Sequence, residues 1–555
     1  MEYLILFAAL LAVGMLVFAK GLWDARQHRQ WMRRKIKESF GQIPDREYAA
    51  GEYDSISRYF EKHKEGFFID DITWNDLDFD RLFLQMNNTW SSAGQEYLYY
   101  MLRTPSFEEK ELEQREELIR YFMQNEEKRL ELQMLFLDMG RTGKYSIYDY
   151  LDFLDDLGER NNRTQILLDL LFIPAIAEIA FVPSIGLLLL VCVLCINIST
   201  YLKAKKAIEP YLVSFAYVFR MLELAKNLEK AEVPVIRREQ EEIKSLLPRF
   251  SRLKKSAAWG MRSMGGSGSP LDIMADYVNM MFHFDIMGFN VMLRQVREHT
   301  AEIDALLSIT GRIEALIAAA GFRQGLECWC EPRLTGEGIS ITGLYHPLLT
   351  DPVKNDISTT QGVLLTGSNA SGKSTFLKSV AVNAILAQTV HTCCADSYRS
   401  SYFKVMTSMA LRDDMGSGES YYIVEIKSLK RILDTVSEAD AAVLCFVDEV
   451  LRGTNTVERI AASTQILKSL HRPGVCCFAA THDIELTGLL EKEYENYHFE
   501  EDIQEGDIRF PYKLMKGKAA SRNAIKLLSI IGYHDRIIDE AERLAAHFMA
   551  SGRWD

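Results

Sequence analysis

Apolar positions along this chain fall into three kinds of pattern, and their order predicts its organisation. The first is the continuous run. Tyr3–Ala19 carries no charge and is close to the roughly 20 apolar residues that cross a bilayer. Ile166–Val182 and Ser184–Ser199, divided by Pro183, are two more such runs and predict a hairpin over 166–200. The second pattern is helical spacing. Leu82, Leu84 and Met86, then Tyr97, Leu98, Met101 and Leu102, mark packed helices, and Pro105 ends the second of them. Glu108–Asn125 begins another, charged along its face, and helical spacing resumes over 207–320 around a glycine-rich turn at Gly265–Pro270. The third pattern is the short buried strand. It begins after Cys330 and includes Gly362–Thr366, Ala442–Val447 and the run that ends at Ala480. The predicted order is a membrane anchor with its basic flank over 1–40 and a polar linker over 41–64. A helical domain over 65–330, interrupted by the apolar hairpin, and an α/β domain over 331–555 with a helical tail complete it.

Charge orients the apolar runs. Lys20, Arg26, Arg29, Arg33, Arg34, Lys35 and Lys37 follow the first run, and nothing basic but the terminal amine precedes it. A cleavable signal peptide has the reverse order. The positive-inside bias therefore puts the N-terminus outside. Arg163 before the hairpin and Lys203, Lys205 and Lys206 after it put both hairpin ends inside. The expectation is a multi-pass protein of the cell membrane, with three spans and its α/β domain cytoplasmic. Asp169, Pro174 and Glu178 interrupt the first hairpin arm, and a hairpin buried in a protein core is the alternative. In a membrane the two acids would face another helix or water, which suggests dimer contacts there.

Composition adds limits. Across 555 residues the net charge is −13, so nucleic acid finds no global attraction and needs a local basic patch. Arg249, Arg252, Lys254, Lys255 and Arg262 around Trp259 are the one basic, aromatic-bearing cluster on the helical arms, and such clusters are more often solvated faces. Nine cysteines without zinc-site spacing read as reduced thiols facing a cytosol.

The candidate chemistry sits in the α/β region. Gly367–Thr375 reads GSNASGKST, a glycine-rich loop between an apolar strand and a helix, the context in which such a loop cradles phosphates. Gly367, Ser368, Asn369, Ala370, Ser371, Gly372 and Thr375 would line the cradle. Lys373 would reach the β and γ phosphates of ATP, and Ser374 would hold Mg²⁺. The strand ending at Asp448-Glu449 supplies two carboxylates. Asp448 would support Mg²⁺ through water, and Glu449 would polarise an attacking water. Thr481-His482 ends another strand and would sense the γ phosphate, although a lone histidine at a strand end is more often structural.

These residues resemble the MutS family of mismatch-repair ATPases, a branch of the ABC-type P-loop enzymes. Tyr345-His346-Pro347 with Asn355-Asp356, the loop itself, Ala387-Gln388 and Asp413–Glu425 match in order. Asp448–Asn455, Ala480–Thr487 and Gly517–Ser521 continue the match, and NTWSSAGQEYLYYMLRTP within 69–120 is similar to the start of the family's helical core. The resemblance implies a helical core and lever domain beside an ABC-type ATPase, and a homodimer with ATP between subunits. It implies a catalytic role for Gln388 and for His482, and a contact from Ser420 to the partner's γ phosphate. It also implies DNA as a partner. The family's mismatch-reading domain has no counterpart in this sequence, a membrane anchor stands in its place, and Glu419 replaces a usual basic residue. A membrane mechanochemical ATPase that acts on a protein or membrane partner without DNA is therefore the alternative. A non-catalytic scaffold is disfavoured by the intact Lys373, Ser374, Asp448 and Glu449.

Overall fold

The structure, a computed structural model, describes residues 2–48, 51–158, 160–208, 211–251, 253, 277–368, 371–409, 421–438, 441–451, 454–504, 507–519, 525, 528 and 532–554. It divides into two compact units. One takes Met1–His63, Asn87–Tyr100 and Glu117–Gly321; the other takes Lys64–Met86, Met101–Glu116 and Phe322–Asp555.

The first unit is helical. Its packing centre is the approach of helix Thr300–Gly325 to the start of helix Ser92–Arg103. Glycine permits that approach: a Cβ at Gly311 would lie 2.6 Å from the Ala93 carbonyl, and one at Gly94 would lie 2.0 Å from Glu314 Oε2. Glu314 accepts from the amides of Trp90 (2.5 Å) and Ser91 (3.2 Å) and from the Ser91 hydroxyl. Thr300–Gly325 is long and apolar enough to cross a membrane, yet 83% of its apolar window is buried, which makes it a core helix. The hairpin is different. Its arms, Arg163–Phe181 and Pro183–Ile208, are buried over only 11% and 22% of theirs. Ile173, Ile176, Phe181, Leu187 and Leu188 are exposed. The arms pack on each other at Gly186, where a Cβ would lie 2.3 Å from the Ile179 amide nitrogen. Most of the hairpin's apolar surface is therefore left uncovered by its own chain, apart from a small cluster of Phe172, Ala175 and Val193. Asp169 finds its partner inside the chain, accepting from His283 Nδ1 at 2.9 Å, so the expectation that it reaches across a dimer is not needed. The run Tyr3–Ala19 lies in one helix, Glu2–Ser39; its side chains lie outside the described residues.

Residues 41–64 correct the linker reading. Short helices Glu52–Ser55 and Arg58–His63 form there. Ile56, Tyr59 and Phe60 are buried, and the Tyr59 hydroxyl meets Ser308 Oγ at 2.6 Å. Three apolar side chains outweigh the polar, turn-rich composition around them.

The second unit is an α/β sheet. β1 (Ile339–Leu344), β2 (Asn355–Thr359) and β4 (Ser397–Ser400) make an antiparallel sheet in the order β2-β1-β4. β3 (Gly362–Thr366), β5 (Lys404–Ser408), β6 (Val443–Asp448), β7 (Val475–Ala480), β8 (Tyr494–Phe499) and β11 (Leu514–Lys516) make the main sheet. Its order is β11-β8-β3-β7-β6-β5, parallel from β8 to β5, with β11 antiparallel at one edge. β9 (Asp502–Gln504) and β10 (Asp507–Arg509) pair separately. Every residue of β3 and β6 is buried, as parallel strands covered on both faces require.

The boundary drawn at 330 also needs correction, because two N-terminal segments belong to the sheet unit. Asp76 accepts from the Thr407 hydroxyl at 2.7 Å and from the Met409 amide at 2.9 Å, past the end of β5. Arg115 donates to the Thr389 carbonyl at 2.6 Å, and Arg323 pairs with Glu116 at 2.8 and 2.6 Å. Burial alone would push Glu116 up, but His391 and Arg323 bring it down to about 2. Buried ion pairs that far apart in sequence leave no periodic trace.

Candidate functional site

Parallel sheets of this kind bind ligands at the carboxyl ends of their strands, where neighbouring connections diverge. Here β3 lies between β8 and β7. The glycine-rich loop leaves its end, and helix Lys373–Thr389 follows. Gly367 has φ +147°, and a Cβ there would lie 2.7 Å from the Phe499 carbonyl, so the turn is closed to larger residues. Lys373 Nζ donates to the Gly367 and Ser368 carbonyls, both at 2.8 Å. Those bonds hold the ammonium in the concavity of the loop, at the positive end of the helix.

β6 delivers the carboxylates. Ser374 Oγ donates to Asp448 Oδ2 at 2.5 Å. Asp448 Oδ1 is buried and has no hydrogen-bond partner among the described residues, and the Ser371 hydroxyl is in the same condition. An orphaned carboxylate oxygen beside a serine hydroxyl suits a hard divalent cation, and an orphaned hydroxyl in the loop suits a phosphate oxygen. The residues present therefore fit Mg²⁺ and a triphosphate. Glu449 follows with φ +61°, and Leu451 has φ +60°, left-handed conformations that cost on the order of 1–2 kcal/mol each. The turn is held in place nonetheless. The Glu449 amide donates to the Ala480 carbonyl at 2.9 Å, and the Leu451 amide donates to Glu425.

β7 supplies the third group. His482 Nε2 lies 2.6 Å from Glu449 Oε1. The segment carrying it is fixed by the Thr481 amide on the Leu365 carbonyl at 2.9 Å and by Arg459, which grips Asp483 at 2.8 and 2.6 Å. Lys373, Ser374, Glu449 and His482 line one cavity of about 510 Å³, whose apolar side is made by Val353, Phe499 and Tyr512.

The placements differ for the remaining site residues. Ser368, Ser371, Gly372 and Thr375 line the cavity, and Gly367 forms its closing turn. Asn369, Ala370 and Ser420 lie outside the described residues, as does the basic cluster beyond Arg249 except Leu253 within it. Gln388 is a correction. It sits at the far end of the helix that Lys373 begins, roughly 22 Å along the axis. It is buried, with its amide donating to the Ser106 carbonyl at 3.3 Å and accepting from the Phe403 amide at 2.8 Å. Its amide is used in packing, not at the cavity. Glu425, Arg459 and Asp483 were missed as positioning residues. Their charge inside motif-rich stretches is the only sequence signal they offer.

The family model described as MutS domain V matches residues 363–549. Over that C-terminal stretch the chain is similar to the MutS family. It is 27% identical over 282 residues to a protein named DNA mismatch repair protein MutS 2 from Haloarcula marismortui. It is 29% identical over 263 residues to DNA mismatch repair protein MutS from Thermus thermophilus, and 30% over 266 to that from Natronomonas pharaonis. These matches take 45%, 46% and 45% of this chain and only 29%, 31% and 31% of those proteins. The likeness thus concerns about a third of the length of the curated relatives.

Proposed function

We propose that this chain is a membrane-anchored MutS-type ATPase that hydrolyses ATP at composite sites between two copies and acts on DNA. The observation that carries the proposal is the convergence of Lys373, Ser374, Glu449 and His482 on one cavity, with Asp448 behind Ser374. Lys373 and the loop amides bind and orient the triphosphate. Ser374 and Asp448 would hold Mg²⁺, Asp448 through water, which supplies charge neutralisation on the phosphates. Glu449 orients the attacking water and takes its proton, and His482, bonded to Glu449, fixes the carboxylate's direction. The apolar wall of Val353, Phe499 and Tyr512 suits the nucleotide base. Ser420 completes the site of the other copy.

The composite site has a direct test. Ser420→Arg subunits mixed with Lys373→Ala subunits give heterodimers in which one site carries both defects and the other neither. Mixing should restore ATP turnover in the heterodimer; inactive heterodimers of proven composition reject a site shared between copies.

The membrane part of the reading rests on the exposed hairpin and the basic flanks. Three spans put the α/β unit on the cytoplasmic side. A cysteine introduced at Glu2 should react with an impermeant reagent in intact cells, while cysteines at Arg163 and Lys203 should not. The same exposed hairpin, with the net charge of −13, favours a second reading: a mechanochemical ATPase that moves a membrane or protein partner without DNA. Salt-dependent binding of the full chain to matched, mismatched and branched duplexes separates the two.

A further inference from the structure

The helix Glu2–Ser39 continues well past its apolar run, and the continuation makes a second feature. Residues 20–37 carry seven basic side chains against one acid, Asp24, in a chain whose net charge is −13. Spacing of three and four residues puts Arg26, Arg29 and Arg33 on one helix face. Three residues further on, that face seats Ile36, which is fully buried against Leu130 and Met134 of helix Glu126–Met139. Beside this contact the two helices line a groove of about 630 Å³, with the three arginines on one helix and Lys128 on the other. Two acids, Glu127 and Glu131, also line it, and Glu131 accepts from Lys128 at 3.2 Å. Arg29 also reaches Asp138 at 3.2 Å in an exposed pair that holds it weakly. Trp23 and Trp31, 60% and 55% exposed, stand on the same stretch of helix. Exposed tryptophans beside a basic stripe are the residues that settle at a headgroup layer.

We propose that this groove binds the headgroup of an anionic phospholipid, with its phosphate among Arg26, Arg29 and Arg33. Two observations select that occupant over nucleic acid. The basic stretch begins at Lys20, directly after the uncharged run that ends at Ala19, and Arg26, the first arginine of the groove, follows roughly 10 Å along the same helix, within reach of the headgroup side of the bilayer. The groove is also short and walled on both sides, which suits one phosphate better than a phosphate backbone. Basic side chains close to an anionic surface each add several-fold to binding, and they act together. The groove would fix the juxtamembrane helix against the helical unit whenever the surrounding leaflet is anionic. This inference rests on the membrane-anchored reading.

The test uses the full chain, purified in neutral detergent and titrated with fluorescent phosphatidylglycerol, with phosphatidylcholine of the same chains as comparison. Wild type should prefer phosphatidylglycerol, and the triple variant Arg26→Gln, Arg29→Gln, Arg33→Gln should bind it roughly a hundredfold more weakly with an unchanged melting temperature. A photo-crosslinking residue at Gln30, which also lines the groove, should label phosphatidylglycerol in nanodiscs and not phosphatidylcholine. Equal affinity for the two lipids in both proteins overturns the proposal. So does displacement of the lipid by millimolar inorganic phosphate, which would mark a small-anion site. So does a triple variant that loses a 30-base-pair duplex and keeps the lipid, which would mark a nucleic-acid surface. Anchoring is read separately: a wild-type chain that inserts into neither type of vesicle rejects the membrane reading itself, whereas insertion into both with no headgroup preference rejects only the groove.

Discussion

Asp448 in the sheet unit and Glu314 in the helical unit are both carboxylates withdrawn from water, and the chain treats them in opposite ways. Glu314 is surrounded by donors: two backbone amides and a hydroxyl end on it, and Gly94 is small enough to let it in. Burial still dominates, and its carboxyl is pushed up to about 7. Asp448 has one serine hydroxyl and a buried oxygen left over. The difference separates a carboxylate that closes a packing problem from one kept incomplete for something that arrives later. Buried polar groups are normally satisfied, and an unfilled carboxylate oxygen beside a serine hydroxyl suits a hard cation.

By that contrast the largest effects belong to the sheet unit. Glu449→Gln should keep ATP affinity and cut turnover roughly a hundredfold or more, as loss of a positioned base does. Lys373→Ala should instead weaken ATP binding, since it removes the charge-assisted contacts to the phosphates. Steady-state turnover beside equilibrium nucleotide binding distinguishes them, and wild-type turnover in Glu449→Gln would remove that residue from the mechanism.

Glu314 should show itself in stability and not in turnover. Its folded carboxyl titrates near 7, above the ordinary 4.5. Stability is therefore fully present below about 4.5 and is lost as pH rises toward 7, beyond which no more is lost. Glu314→Gln cannot titrate. Relative to wild type the variant should gain on the order of 3 kcal/mol between pH 4.5 and 8. Calorimetry of both proteins across that range measures the difference; parallel curves would show that Glu314 does not carry a raised pKa.

The smallest effect sharpens the comparison from the other side. Gln388 lies on the same helix as Lys373 but serves packing. Gln388→Ala should lower stability by about 1–3 kcal/mol, because the buried Phe403 amide loses its acceptor. Turnover of the folded protein should stay within about twofold. A hundredfold fall in turnover without a stability change would return Gln388 to the catalytic group.

The local features were legible in the sequence because their physics is local. A glycine-rich loop between an apolar strand and a helix, two acids at a strand end, and uncharged runs with basic flanks each follow from neighbours along the chain. The composition around Gly367–Thr375 and Asp448-Glu449 was enough to point to phosphate chemistry and to the resemblance with the MutS family. What only the tertiary structure decided depends on side chains that meet from distant positions. It moved Lys64–Met86 and Met101–Glu116 into the sheet unit, because Asp76 and Arg115 satisfy backbone groups more than two hundred residues away. It turned Glu52–Ser55 and Arg58–His63 from linker into short packed helices, since three buried apolar side chains outweigh a polar average. It made Thr300–Gly325 a core helix while leaving the hairpin arms exposed, although their composition alone is alike. It also took Gln388 away from the cavity, because a helix of seventeen residues carries its two ends far apart. Periodicity records which face of an element is apolar. Only the fold records what that face meets.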